Sequence, residues 1–231
     1  MNHFDQPDTL KKNFLLFIVY TLGAVFTILI SLCFIIPKGN EVLWINGNFS
    51  PFQDWFFRLV TTLGEGIAFV PILSVLLFVR FHYAFVLAAV GLLNGLIIPL
   101  LKYGLFADMK RPITFLDNSL LHFVDGLNVH TAYSFPSGHT ATAFAVAVTL
   151  SLCIKNKNWS IVFITLAAMV GYSRMYLLQH YLIDVAAGGC IGTCCSILTY
   201  KLLPINNIPW INQRLEIKFQ IKNQDIQPSG R

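Results

Sequence analysis

Residues 13–36 carry no charged side chain. A run of about 24 apolar residues is long enough, at 1.5 Å per residue, to cross a hydrocarbon core as a helix. Five further stretches of the same character follow at 59–79, 83–101, 133–154, 159–176 and 181–200, with polar and charged residues gathered between them. The pattern predicts an all-α fold, a bundle of six transmembrane helices forming one domain over 1–231. Residues 1–12 and 203–231 are then short tails. The first stretch lacks a short apolar core followed by a small-residue cleavage site, so it reads as a retained anchor. In the C-terminal tail Leu215, Ile217, Phe219 and Ile221 alternate with Glu216, Lys218, Gln220 and Lys222, which is strand periodicity. A single strand is not stable alone, so this segment would pair, lie on the membrane or stay loose.

Composition agrees with the pattern. Hydrophobic residues make up 55% of the chain and charged residues 12%, with a mean hydropathy of +0.64, which excludes an ordinary soluble domain. Charge orients the bundle. With the N-terminus cytoplasmic, the inner segments hold Lys11, Lys12, Arg80, Lys155, Lys157, Lys201, Arg214, Lys218, Lys222 and Arg231. The outer segments hold only Lys38, Arg58, Lys102, Lys110, Arg111 and Arg174. Positively charged loops stay inside, so both termini are expected in the cytoplasm. The net charge of +5 is accounted for in part by this bias, and no nucleic-acid partner is implied. Cys33, Cys153, Cys190, Cys194 and Cys195 all fall in expected spans, where small packing residues are a better reading than a metal site.

The candidate chemistry lies at the outer ends of these spans. His180 and Asp184 are four apart, a spacing that puts both on one face of a helix and lets the carboxylate accept a hydrogen bond from one imidazole nitrogen. The other nitrogen is then free to attack. His139, in Pro136-Ser137-Gly138-His139, comes from a separate segment and would protonate a leaving oxygen. That run reads as a helix start, with Pro at the first position and Gly allowing close backbone approach, so its amides would point at an anion. Two histidines, clustered cations and a membrane suggest phosphate chemistry on a lipid.

These runs resemble the motifs of the type 2 phosphatidic acid phosphatase (PAP2) family. Its SR-x5-H-x3-D motif is matched from Ser173 to Asp184 and its PSGH motif from Pro136 to His139. Its K-x6-RP motif is matched at Arg111-Pro112 with the lysine displaced: Lys102 gives K-x8-RP, and Lys110 is the rival. The resemblance implies that His180 forms a phosphohistidine, Asp184 orients it and His139 is the acid. It implies that Lys102, Arg111, Ser137, the Gly138 amide and Arg174 hold the phosphate oxygens. It also implies no metal and no cofactor, the cations meeting the developing charge instead.

Glu65, flanked by Gly64 and Gly66 inside the second span, is expected either to support Lys102, Arg111 or Arg174, or to lie hydrated at the interface. Trp44, Phe49, Phe52, Trp55, Phe56 and Phe57 crowd the loop before it, as an interfacial belt or a flap at the lipid entrance. The loop 102–132 should cover the site, with Asp117, His122, Asp125 and His130 at solvated positions. The expected function is metal-independent hydrolysis of a phosphomonoester or pyrophosphate on a cell-envelope lipid, at the outer face of a bacterial inner membrane, with no obligate protein partner. Candidate substrates are a lipid A phosphate, undecaprenyl pyrophosphate, phosphatidylglycerophosphate and phosphatidic acid. A lipid phosphotransferase, or a phosphate-binding membrane protein without catalysis, are the alternatives.

Overall fold

The computed structural model describes residues 8–203 and 209–216. The strand periodicity expected around 215–222 lies, from residue 217 onward, outside the described residues. The helices run α1 (Asp8–Ile35), α2 (Asn40–Gly47), α3 (Pro51–Thr61), α4 (Phe69–Val79), α5 (Phe81–Pro99), α6 (Gly138–Ile154), α7 (Lys157–Tyr176) and α8 (Leu182–Leu202). Among the described residues there is no strand.

α6 is the centre. Most of its residues are buried, and it packs against α5, α7 and α8. Its contact with α8 is close because small residues face each other. A Cβ added to Gly188 would lie 2.4 Å from the Ser137 carbonyl oxygen, and one added to Gly192 would lie 2.1 Å from that of Ala141. Backbone therefore meets backbone, the way small residues let membrane helices associate. α1 lies outside this core and buries one stripe, Phe14, Ile18, Leu22 and Phe26, at four-residue steps. Its other faces expose Tyr20, Val25, Ile28 and Phe34, as a lipid-facing helix should.

Six spans are expected, whereas length and apolar character mark three helical segments, Lys12–Ile35, Phe81–Leu105 and Leu182–Leu202. A bent pair makes a fourth. α6 is apolar but has only 17 residues, and α7 carries Asn158, Ser160, Ser173 and Arg174, because helices wrapped by other helices need less lipophilic surface. The expected continuous span 59–79 is broken: Pro51–Gly64 and Gly66–Val79 meet at 67° around Glu65. Gly64, beside the break, is packed closely: a Cβ there would come 2.7 Å from the His139 carbonyl oxygen and 2.7 Å from Val170 Cγ1. The expected interfacial loop before it is helical, as α2 and α3. Trp44, Phe49, Phe52 and Trp55 are exposed there, while Phe57 is buried against Tyr172 and Tyr176.

Candidate active site

Chain direction alternates along the bundle, so the end of α5 and the end of α7 meet the beginnings of α6 and α8. Each of these ends carries a predicted site residue.

Ser137 is the N-cap of α6, its hydroxyl accepting from Thr140 N–H at 3.4 Å. Pro136 therefore precedes the cap and Gly138 is the first helical residue, which corrects the expectation that Pro opens the helix. The amides of Gly138 and His139 begin the helix without intrahelical acceptors, as the first turn of any helix must. Ser137 N–H donates to the Asp184 carbonyl at 3.0 Å, so the start of α6 is fastened to the start of α8.

His180 is not on a helix with Asp184. It lies in the turn between α7 and α8, while Asp184 sits three residues into α8 and reaches back over the helix start. One carboxylate oxygen, Asp184 Oδ2, accepts from Tyr181 N–H at 3.0 Å and from the Ser134 hydroxyl, and stands 3.4 Å from His180 Nδ1. The capping carboxylate and the imidazole orienter are thus the same atom. His180 is fully enclosed, and burial pushes its imidazole down to about 3, against the opposing pull of Asp184. It is neutral at physiological pH, with Nδ1 held toward the carboxylate and Nε2 left as the free nitrogen.

Arg174 closes α7. Its carbonyl accepts both Gln179 N–H at 2.9 Å and His180 N–H at 3.2 Å, folding the turn back so that Arg174 and His180 share one site. Its guanidinium donates from Nη1 to Thr61 Oγ1 at 2.7 Å, whereas its buried Nε has no acceptor. A buried, unpaired donor on a cation is costly unless an anion arrives. Arg111 is also buried. It donates from Nε to the Ala132 carbonyl at 2.8 Å, and from Nη1 to the Gln179 carbonyl at 3.1 Å and to Gln179 Oε1 at 2.5 Å.

Lys102 is half-buried and interacts electrostatically with Arg111, Arg174 and Asp184, while Lys110 is exposed. Lys102 stands in a π-helical turn, Leu100–Leu105, closed by Phe106 N–H to the Leu101 carbonyl at 2.9 Å. A π turn is how a helix absorbs inserted residues, and it accompanies the lengthened K-x8-RP spacing. His139, half-buried, interacts electrostatically with Arg174, His180, Lys102 and Arg111. Glu65 is exposed at the helix break, and its charge reaches Arg174.

Of the covering loop, Asp117, Asp125 and His130 are exposed, as expected. Partial burial, helped by the field of Arg111, Arg174 and Lys102, nevertheless lowers the His130 imidazole below the usual range. His122 is tied down, its Nε2 3.0 Å from both oxygens of Asp54, and it stacks on Phe49 at 3.8 Å. Sequence reasoning missed Ser134, Gln179 and Thr61. Each is a single polar residue whose role follows only from what it touches.

The description of the PAP2 superfamily matches residues 80–208, more than half of the chain. The "Lipid A 4'-phosphatase" of Bacteroides thetaiotaomicron is 31% identical over 166 residues, covering 65% of this chain and 70% of that protein. The "Undecaprenyl-diphosphatase" of Sulfolobus acidocaldarius is 38% identical over 86 residues, covering 37% of this chain and 41% of that one. Among solved structures, the crystal structure of Aquifex aeolicus LpxE superposes with a TM-score of 0.64 at 29% identity, covering 71% of this chain and 94% of its own. The fold, the ordered motifs and these relatives agree: the chain belongs to the PAP2 superfamily and is a membrane phosphatase of that kind.

Proposed function

We propose that this chain removes phosphate from a cell-envelope lipid, a lipid A phosphate first, through a phosphohistidine on His180 at the outer face of the membrane. The observation that carries this reading is the Asp184 Oδ2 to His180 Nδ1 contact between buried side chains, next to the buried Arg174 whose Nε is unpaired. Phosphate binding alone calls for cations and amides. A neutral imidazole with its own orienter is needed for attack.

In the first step His180 Nε2 attacks phosphorus and the P–O bond to the lipid breaks, while His139 gives its proton to the departing oxygen. In the second, His139 takes a proton from water as that water attacks phosphorus, the P–N bond breaks, and inorganic phosphate leaves. Arg111, Arg174, Lys102, Ser137 and the Gly138 amide hold the three oxygens throughout, with Glu65 supporting Arg174. Losing one such donor costs about 10²–10³ in rate. The choice of lipid A rests on the Bacteroides relative. A lipid is favoured over a soluble ester by a half-open apolar cavity of about 320 Å³, lined by Cys33, Phe34, Ile36, Lys38, Glu41, Leu182 and Ile183, beside the His180 turn.

Purified protein in detergent with EDTA, offered lipid A, undecaprenyl pyrophosphate, phosphatidylglycerophosphate and phosphatidic acid, is expected to release phosphate fastest from lipid A. His180→Ala should abolish release from all four. Faster turnover of another lipid would replace the substrate, and loss of activity with EDTA would contradict the metal-free mechanism.

A further inference from the structure

The His180 turn is held from outside by a helix that no motif covers. α2 lies upstream of residue 80, before the stretch that matches the family description. Asn46, near its end, is fully buried, and its side chain is used completely: Nδ2 donates to the Tyr176 carbonyl and to the His122 carbonyl at 2.8 Å each, and Oδ1 accepts His122 N–H at 2.8 Å. Tyr176 is the last residue of α7. At the other end of α2, Glu41 Oε1 accepts the N–H of Leu182, the first residue of α8, at 3.3 Å, and its Oε2 accepts Gly39 N–H at 2.8 Å. Between the two anchors Val42 packs on Leu178 and Tyr181, all three buried. Leu178 has a φ of 58°, a left-handed conformation that a branched residue avoids unless its surroundings impose it.

We propose that α2 is a positioning element for the reaction, with Asn46 and Glu41 gripping the two shoulders of the 177–181 turn and so fixing where His180 points. The proposal rests on the reading of His180 as nucleophile. The turn has its own internal tie, the Arg174 carbonyl, but that bond fixes only its amides. Asn46 fixes the end of α7 and Glu41 the start of α8, and the imidazole is carried between them. A displacement of about 1 Å at a nucleophile is enough to cost about 10²-fold in rate. Asn46 also joins the 122 segment to α7, so the covering loop and the nucleophile turn share one anchor.

The test is single-turnover hydrolysis of ³²P-labelled lipid A, with enzyme in excess, by Glu41→Ala, Glu41→Gln and Asn46→Ala. Short-chain phosphatidic acid is the probe if lipid A is not turned over. In such a trace the amplitude reports the folded, competent fraction and the rate constant reports geometry. Glu41→Ala is expected to lower the rate constant by about 10- to 100-fold at unchanged amplitude. Glu41→Gln, whose amide oxygen still accepts Leu182 N–H, should recover most of the rate. Asn46→Ala should behave as Glu41→Ala does. Should burial of Asn46 prevent that variant from folding, the Glu41 pair decides alone. A rate constant within twofold of wild type in Glu41→Ala, or a loss confined to amplitude, overturns the proposal. His180→Ala in the same assay separates the two readings: turnover there removes the nucleophile assignment, whereas an inactive His180→Ala beside a fast Glu41→Ala removes only the role of α2.

Discussion

Asp184 serves three groups with one oxygen: the Ser134 hydroxyl, the Tyr181 amide and the His180 ring. The hydroxyl and amide fix the carboxylate, and the carboxylate fixes the ring. Ser134→Ala removes one of the two supports while leaving every group proposed to hold phosphate, so it should lower kcat by about tenfold, or ~1.4 kcal/mol, at unchanged KM. A KM effect without a kcat effect would make Ser134 part of the binding surface instead. His180 carries a second prediction. Its imidazole is held down to about 3 by burial, whereas in the unfolded chain it titrates near 6.5. Stability from this group is complete above pH 6.5 and is lost as pH falls toward 3, because the unfolded chain takes up the proton first. The Tm of wild type in detergent should therefore fall further between pH 7.5 and 4.5 than that of His180→Asn, and equal falls would contradict a buried neutral ring. At this scale the sequence was readable where motifs have fixed spacing. Motif spacing singled out His139, His180, Asp184, Arg111 and Arg174, which the structure gathers at one end of the bundle, although His180 lies in the turn before α8 and not on a helix with Asp184. Ser134, Thr61 and Gln179 did not announce themselves, because a lone hydroxyl or amide has no pattern.

Helices bring these side chains together only if their axes approach closely, and the α6 to α8 contact is the closest. At Gly192 a Cβ would meet the Ala141 carbonyl oxygen at 2.1 Å, and backbone cannot yield as a flexible side chain can. Gly192→Ala must push α8 off α6 and disturb the Ser137 to Asp184 backbone bond at the site end of the two helices, costing about 1–3 kcal/mol. Lower Tm and lower activity are expected together. Gly95→Ala in α5 is the contrast, since nothing lies within 4 Å of the new Cβ. It should leave Tm unchanged or raise it. Equal damage from the two substitutions would mean that the close approach does not matter. The long apolar runs gave the helices, but the breaks escaped notice. Gly64-Glu65-Gly66 looks like a tolerable interruption in an apolar stretch, and only the structure shows the 67° bend there and the close packing of Gly64 on His139 and Val170. α2 was hidden among aromatic residues, because its buried face is set by the α7 to α8 turn and not by a repeat of its own.

At the level of the whole molecule, every site residue lies at one end of the bundle, and the two ends differ in charge. The site end holds Glu41, Asp54, Glu65, Asp108, Asp117, Asp125 and Asp184 beside its cations, whereas the far end gathers Lys12, Arg80, Lys155, Lys157, Lys201 and Arg214. Arg80 there donates to Asn212, and Phe81 N–H donates to the Gln213 carbonyl at 2.8 Å, so the described part of the C-terminal segment is fastened to the cationic end. Cationic loops resist translocation, which argues for a cytoplasmic far end and an outward-facing site. A cysteine-free version carrying Ser119→Cys, in the exposed covering loop, should react with a membrane-impermeant maleimide in intact spheroplasts. Lys157→Cys, at the exposed start of α7 on the far end, should react only after permeabilisation. The reverse labelling would invert the bundle and move the reaction to the cytoplasmic leaflet. That result would exclude any substrate confined to the outer leaflet while leaving the chemistry of His180 untouched. Orientation and catalysis therefore stand on separate observations, charge distribution for one and the Asp184 to His180 geometry for the other.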